Sequence, residues 1–440
     1  MRALFFRFAG IACAFAAAAA CAASGSNNSG SNGPPDDGGA AIPDAPTPDA
    51  AIRHDASFDA LPEAETCSAA GWCSTPLPDV DLQFLDVWPL PNRAFAFAAG
   101  ETRGIKLMEW SDAAGWRYID EGTLNALNTL ALAPGALWAP SGDEVYVAML
   151  HYGLLFGLPD GFGGYVFRGT RPVPPATKWT WTRYDFDCDT FDFSPPAVGG
   201  TSKSDVYVAY CGTVHRLNGA GGDAGADAGS ISWVPEYVDG DQTSFLALTG
   251  SITGTAPDDT WFLGYRGEMP GACTVILHKT SAGIETVADG TLMPDGTTCA
   301  EIPGKLLIDG GLRQIHATST GHVVGVRASE SAGNDVVRIV RGNDGSYSVS
   351  SASPAPTYNV LLQSIWGASD DDLWLLADDP NGTHGILRGT NLWSGASSYQ
   401  YSTLVMNDLP NRQPLSKIRG TSNDNLWAVG YERAFHKKTP

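Results

Sequence analysis

The chain is expected to fold as an all-β protein, a seven-bladed β-propeller of four-stranded blades whose ring is closed by an N-terminal strand. Three observations predict this. A unit of roughly fifty residues recurs seven times along the sequence. Its second strand, as in L-W-L-L-A and V-Y-V-A-Y, has no polar face and must be covered on both sides by neighbouring sheets. The last copy runs out after three strands, so a fourth has to come from elsewhere in the chain. Composition agrees: 43% of the 440 residues are hydrophobic, enough for a large core, and 51 Gly with 29 Pro imply many turns. A formal charge of −21 argues against nucleic acid or an anionic membrane face as partner, because nothing would neutralise phosphates.

The chain starts M-R-A-L-F-F-R-F-A-G-I-A-C-A-F-A-A-A-A-A-C. Arg2 and Arg7 precede an apolar run of signal-peptide length, too short to span a bilayer comfortably as a permanent helix. Residues 1–20 are therefore expected to be an export signal. The run ends A-A-A-C at Cys21, which resembles the lipobox of bacterial lipoproteins, although Ala18 stands where Leu is usual. That resemblance implies acylation of Cys21 and a lipid anchor at the outer membrane or cell surface. The alternative is ordinary A-x-A cleavage, leaving a periplasmic or secreted protein. Residues 21–66 continue as a Gly/Ser/Asn and then Pro/Asp/Ala tract with almost no large apolar side chains. Such a tract cannot offset its ordering entropy by burial and reads as a disordered spacer. The propeller is expected to occupy residues 67–440.

The repeat is clearest in S-I-W-G-A-S-D-D-D-L-W-L-L-A, which begins at Ser364. Its relatives begin at Lys417 (K-I-R-G-T-S-N-D-N-L-W-A-V-G), Ser251 (S-I-T-G-T-A-P-D-D-T-W-F-L-G) and Ala197 (A-V-G-G-T-S-K-S-D-V-Y-V-A-Y). In each, a Gly (Gly367, Gly420, Gly254, Gly200) lies seven residues before an aromatic (Trp374, Trp427, Trp261, Tyr207). Weaker copies place Ala139 before Tyr146 and Ala317 before Val324, and a degenerate first copy begins at Asp86. A basic residue follows an apolar pair in the second half of six copies, at Arg168, His215, His278, Arg341, Arg388 and His436. These six read as one repeat position rather than a converging zinc site. Chain closure is expected from a strand within Cys73 to Leu85, pairing with the last unit and removing the open edges.

The pattern W-G-x-S-x-x-D-x-W-x-x-G followed by an I-L-R or V-H-R strand resembles the propeller repeats of exported bacterial lipoproteins, over roughly Cys67 to Pro440. The resemblance is to an architecture that serves binding proteins and enzymes alike. It implies ligands on the face formed by the loops between strands two and three and by the connections between blades, here termed the candidate face. Asp370, Asp371 and Asp372 then fall in a turn on the opposite face, where Asx side chains are expected to bond nearby backbone. On the candidate face, Y-D-F-D-C-D-T-F-D-F places Asp185, Asp187 and Asp189 on one side of a strand. A solvated outer strand is the reading preferred over a calcium site. The remaining candidate ligand-binding residues are His151 and Tyr152 on a long loop, Asp239 and Asp241 in V-D-G-D-Q, and Arg266 and Glu268 in G-Y-R-G-E-M-P.

An even set of cysteines in an exported chain suggests disulfides, and six allow about fifteen connectivities. The repeat alignment selects one. Cys188 and Cys211 fall in candidate-face loops of adjacent blades, Cys273 and Cys299 both fall in candidate-face loops around blade four, and Cys67 is left to Cys73. H-E-x-x-H, G-x-S-x-G and Walker patterns do not occur, so no catalytic residue, metal site or cofactor is expected. The reading is a monomeric, envelope-located, non-enzymatic binding or scaffold module for a protein, peptide or glycan. The alternative is a propeller enzyme acting on glycans, of hydrolase, lyase or copper-oxidase type.

Overall fold

The computed structural model describes residues 66–438, apart from 101–103, 121, 123, 125–131, 153–161, 189–193, 220–231, 241–244, 268–271, 297, 309, 329–333, 355–359, 379–383, 396 and 407–408. The export signal, Cys21 and the spacer as far as Glu65 lie outside these residues. The rest forms seven four-stranded antiparallel sheets: 82–118, 132–186, 197–238, 246–288, 311–352, 361–402, and 415–437 with Trp72–Ser74. These are blades 1 to 7. First strands of successive blades pack on one another right round the ring, blade 7 against blade 1 included. The fold is a seven-bladed β-propeller with the first strands innermost.

Between blades lie seven apolar clusters, one per interface, built by the two-faced second strands. Blade 1, for example, meets blade 7 where Phe84, Val87, Trp110 and Trp116 pack on Trp427 and Val429. The repeated glycines have a steric origin. A Cβ at Gly200, Gly254, Gly367 or Gly420 would come within 2.0, 2.5, 2.4 and 2.5 Å of the next strand. In each case the ladder shifts register one or two residues later, which brings the carbonyl of the following strand's first residue across the glycine. Ala317 and Pro89 are tolerated because their pairing with Val323 and Ala94 stays regular.

A second irregularity escapes the sequence pattern. Six first strands carry a bulge three residues before the position that pairs with the aromatic, at or beside Leu85, Gly135, Gly250, Arg313, Gln363 and Ser416. Just after the bulge, side chains link one blade to the next. Asp86 accepts the Leu137 N–H at 3.1 Å, Ser251 that of Ile315 at 3.3 Å and Ser364 that of Ile418 at 3.1 Å. Gln314 Nε2 donates to the Ile365 carbonyl at 2.9 Å. This belt satisfies backbone groups freed by the bulges.

Closure uses Trp72–Ser74, at the very start of the expected window and extending one residue before it. Trp72, Cys73 and Ser74 pair with Lys437, His436 and Phe435, so the strand is the outermost of blade 7. Trp72 is fully buried, donates its indole N–H to Ser402 of blade 6 at 2.9 Å and meets Trp374 edge to face at 6.0 Å. Two short ribbons, Gly290–Leu292 with Cys299–Glu301 and Val405–Met406 with Leu409–Pro410, decorate the connections after blades 4 and 6.

Candidate functional site

The acidic row 370–372 lies in the turn between the first two strands of blade 6, as the repeat implies, but its chemistry is ion pairing rather than Asx turns. The first residue of the second strand is Glu144, Asp205, Asp259, Asp372 or Asn425 in blades 2, 3, 4, 6 and 7. Two residues later stands the aromatic, and across the ladder from it a basic side chain on strand three: Arg168, Arg216, His278, Arg388 or His436. The acidic or amide oxygen meets that partner at 2.7 Å for Arg168, 3.8 Å for Arg216, 3.0 Å for His278, 2.8 Å for Arg388 and 3.0 Å for His436. His215 and Arg341 are thus not members of the set. His215 pairs with Val208 and packs edge-on against Phe186, while the blade 5 residue opposite Val324 is Arg338.

Two blades vary the triad, and the variation explains the acidic row. Blade 1 reverses it: Arg93 starts the second strand and Glu109 faces it at 2.7 Å, with Phe95 replacing the tyrosine whose hydroxyl would need the acid. Blade 5 has two bases, His322 and Arg338, and takes its acid from the next blade. Asp370 accepts from His322 at 2.8 Å, from Arg338 at 3.0 Å and from Thr320 at 3.1 Å. Asp372 serves its own blade through Arg388 and accepts from Asn423 of blade 7 at 2.7 Å. Burial raises the Asp370 and Asp372 carboxyls, and these hydrogen bonds outweigh it, holding both below the usual carboxylate range.

On the candidate face, Arg266 ends the second strand of blade 4 and is only 3% exposed. It donates to both oxygens of Asp239 at 2.9 and 3.1 Å and to both of Asp289 at 2.9 and 3.0 Å. Arg266 and Asp239 are thereby spent on tying the connection after blade 3 to the one after blade 4, a use the loop position did not reveal. His151 is buried and stacks on Tyr165 with ring centroids 5.2 Å apart. Tyr152 ends the same strand. Asp185 and Asp187 are exposed around buried Phe186, and Asp185 pairs with Arg183 at 2.9 Å, the pattern of a solvated outer strand. Asp189, Asp241 and Glu268 lie outside the described residues. Disulfides join Cys67 to Cys73, Cys188 to Cys211 and Cys273 to Cys299, with Cα separations of 3.9, 5.8 and 5.7 Å.

The described polar groups that do gather near the inner mouth come from blades 5 and 6. Arg313 is exposed on the innermost strand of blade 5 and donates to Gln363 Oε1 at 2.9 Å. Gln363 Nε2 donates to Asp378 at 3.0 Å, whose other oxygen meets His384 Nδ1 at 2.6 Å. Arg327, paired with Leu312 across the ladder of blade 5, meets Asp335 at 2.5 Å. Arg313 and Gln363 occupy the bulge position. Equivalent residues in blades 1 to 4 are Leu85, Gly135, Pro196 and Gly250, so polarity at this ring is confined to blades 5 to 7, where Ser416 completes it. The signal was present in the sequence three residues before His316 and Trp366, but without the bulge nothing marks that position as inward-facing.

No family model and no curated protein matches the chain. Solved structures similar to it include a prolyl endopeptidase, at 12% identity and TM-score 0.44 over 80% of this chain and 46% of that one. Others are a periplasmic gluconolactonase of Pseudomonas aeruginosa, at 12% and 0.43 over 79% and 88%, and a lectin of Aleuria aurantia, at 12% and 0.34 over 78% and 98%. The chain spans less than half of the endopeptidase. Two enzymes and a lectin share nothing chemical that these identities would transfer.

Proposed function

We propose that the protein is an exported lipoprotein, anchored through Cys21, whose propeller binds a protein, peptide or glycan of the cell envelope without turning it over. The observation that carries the binding reading is the Arg313–Gln363–Asp378–His384 chain. It presents one exposed guanidinium at the inner mouth and fixes it through two blades, which is recognition geometry for a carboxylate, an amide or a sugar hydroxyl. Asp378 is engaged by Gln363 and His384 and Asp335 by Arg327, so these carboxylates brace the chain and leave the guanidinium as its ligand-facing group. Arg313 and Gln363 stand on first strands, Asp378 on a second and His384 on a third, so the site rests on the sheets.

Arrays of peptides and of envelope glycans probed with the purified chain should give a bound class whose signal falls at least about tenfold in Arg313→Ala, the loss of a charge-assisted contact. Product release from any bound glycan or peptide, abolished by Arg313→Ala or Asp378→Asn, would overturn the reading in favour of an enzyme. The anchor is tested separately. Cells fed an alkyne-tagged fatty acid should label the wild-type chain and not Cys21→Ser, and equal labelling of both would remove the anchor.

A further inference from the structure

We propose that the seam between blades 7 and 1 holds a small-oxyanion site built on the Lys417 ammonium, beside Arg419. The reasoning starts from the belt of inter-blade bonds. Counted from the position opposite the aromatic, Lys417 is equivalent to Asp86, Ser251, Gln314 and Ser364. Each of those four gives a side-chain atom to its neighbouring blade. An ammonium cannot accept a backbone N–H, so Lys417 has left the belt. The N–H it would have capped, that of Val87 in blade 1, is taken by Asp86 itself at 2.9 Å.

Asp86 is also where the local countercharge goes. Arg419 grips both its oxygens at 3.0 and 3.2 Å while its guanidinium lies 4.6 Å from the Trp88 ring centre. Among the described residues the Lys417 ammonium has no hydrogen-bond or ion-pair partner. It sits half-buried on the innermost strand, one position past the bulge that carries Ser416. The charged and titratable groups that act on it are Asp86 from blade 1 and Arg419 from its own strand. His316, from blade 5, feels Arg419 in turn, donates its Nε2–H to the Gly367 carbonyl at 2.9 Å and, with burial holding it down to about 4, is uncharged at neutral pH. Among the described residues the Lys417 ammonium is thus left without a direct partner, Asp86 acting on it while bound to Arg419.

Burial holds the Lys417 amine down to about 8, with Asp86 opposing and Arg419 adding to that shift. An oxyanion beside it would restore the charged form, so binding takes up a proton and weakens as pH rises past 8. This holds whether or not the candidate face is a docking surface, and Lys417 takes no part in the Arg313 chain.

The test uses the full chain with its lysines labelled as ¹³C-dimethylamines and followed by NMR, with inorganic phosphate and acetate as probes. One resonance, lost in Lys417→Met, should titrate well below the others and move on addition of either probe. Its apparent affinity should fall about tenfold per pH unit above the free amine's pKa. Lys417→Arg should keep phosphate binding, read by thermal shift, and lose that pH dependence. Lys203→Met, in an exposed turn, serves as the control and should change nothing. Phosphate and acetate leaving the Lys417 resonance unmoved, or shifting all lysine resonances alike, would overturn the proposal, as would undiminished phosphate stabilisation in a folded Lys417→Met chain.

Discussion

Asp370, Asp371 and Asp372 are neighbours in sequence with three different fates. Asp372 pairs within its own blade, Asp370 reaches back to supply the acid that blade 5 lacks, and Asp371 gives only its backbone carbonyl, to Asn391 at 3.1 Å. Asp370→Ala should therefore cost about 1–3 kcal/mol, less than a fully buried pair because Arg338 and His322 keep some solvent. Asp371→Ala should change stability by no more than about 0.5 kcal/mol. Chemical denaturation of the two variants checks this, and equal effects would contradict the assignment. The sign of the pH dependence follows. Asp370, Asp372 and Asp259 titrate below their unfolded values in the folded chain; for Asp259 burial raises it and bonds from His278, Thr255 and Trp261 outweigh that. Their contribution is complete above the unfolded carboxylate value of about 4 and disappears as pH falls through the folded values. Acid unfolding of Asp370→Ala should consequently be shallower than that of the wild type below about pH 4.

At the scale of the strand, what could be read from sequence and what could not separate cleanly at the two irregularities. The glycine seven residues before the aromatic was visible because a side chain there is crowded: a Cβ at Gly367 would come within 2.4 Å of the Leu373 side chain and 2.8 Å of the Asp372 carbonyl. Gly367→Ala should cost about 1–3 kcal/mol through the forced shift of the following strand, measured by thermal or urea unfolding. The same change at Gly345, in an open turn with φ of 82°, would test only backbone strain and should cost less. The inner bulge left no such trace, because an extra residue in a strand has no required side chain. Arg313 and Gln363 therefore looked like ordinary strand residues. Arg266 misled in the opposite direction: a lone arginine in a loop reads as available, and only the fold brings Asp239 and Asp289 to it. His215 and Arg341 show the limit of alignment by eye, since a displacement of one or three residues moved the basic slot to Arg216 and Arg338.

At the scale of the ring, stability depends on a closure that joins residues more than 300 positions apart. Trp72 is the place to test it, because it lies in the closing strand yet packs on blade 6: its ring meets Trp374, and its N–H reaches Ser402. Thr75, just beyond the strand, accepts from Trp116 of blade 1 at 3.0 Å and donates to the Ala434 carbonyl of blade 7 at 3.0 Å. Three blades thus converge on a segment of a few residues, held from the N-terminal side by the Cys67–Cys73 bridge. Trp72→Ala should remove about 3–5 kcal/mol, the range for truncating a buried tryptophan. The loss should also spread beyond its own contacts, because opening blade 7 exposes the sheet edge and the first strand of blade 1 together. Hydrogen exchange distinguishes the two contributions. A closure role predicts faster exchange in the third strand of blade 7, Arg433–Lys437, and in the first of blade 1, Leu82–Leu90, with blades 3 and 4 keeping their protection. Uniform loss of protection round the ring would mean instead that the propeller unfolds as one unit and that Trp72 acts only through its buried volume.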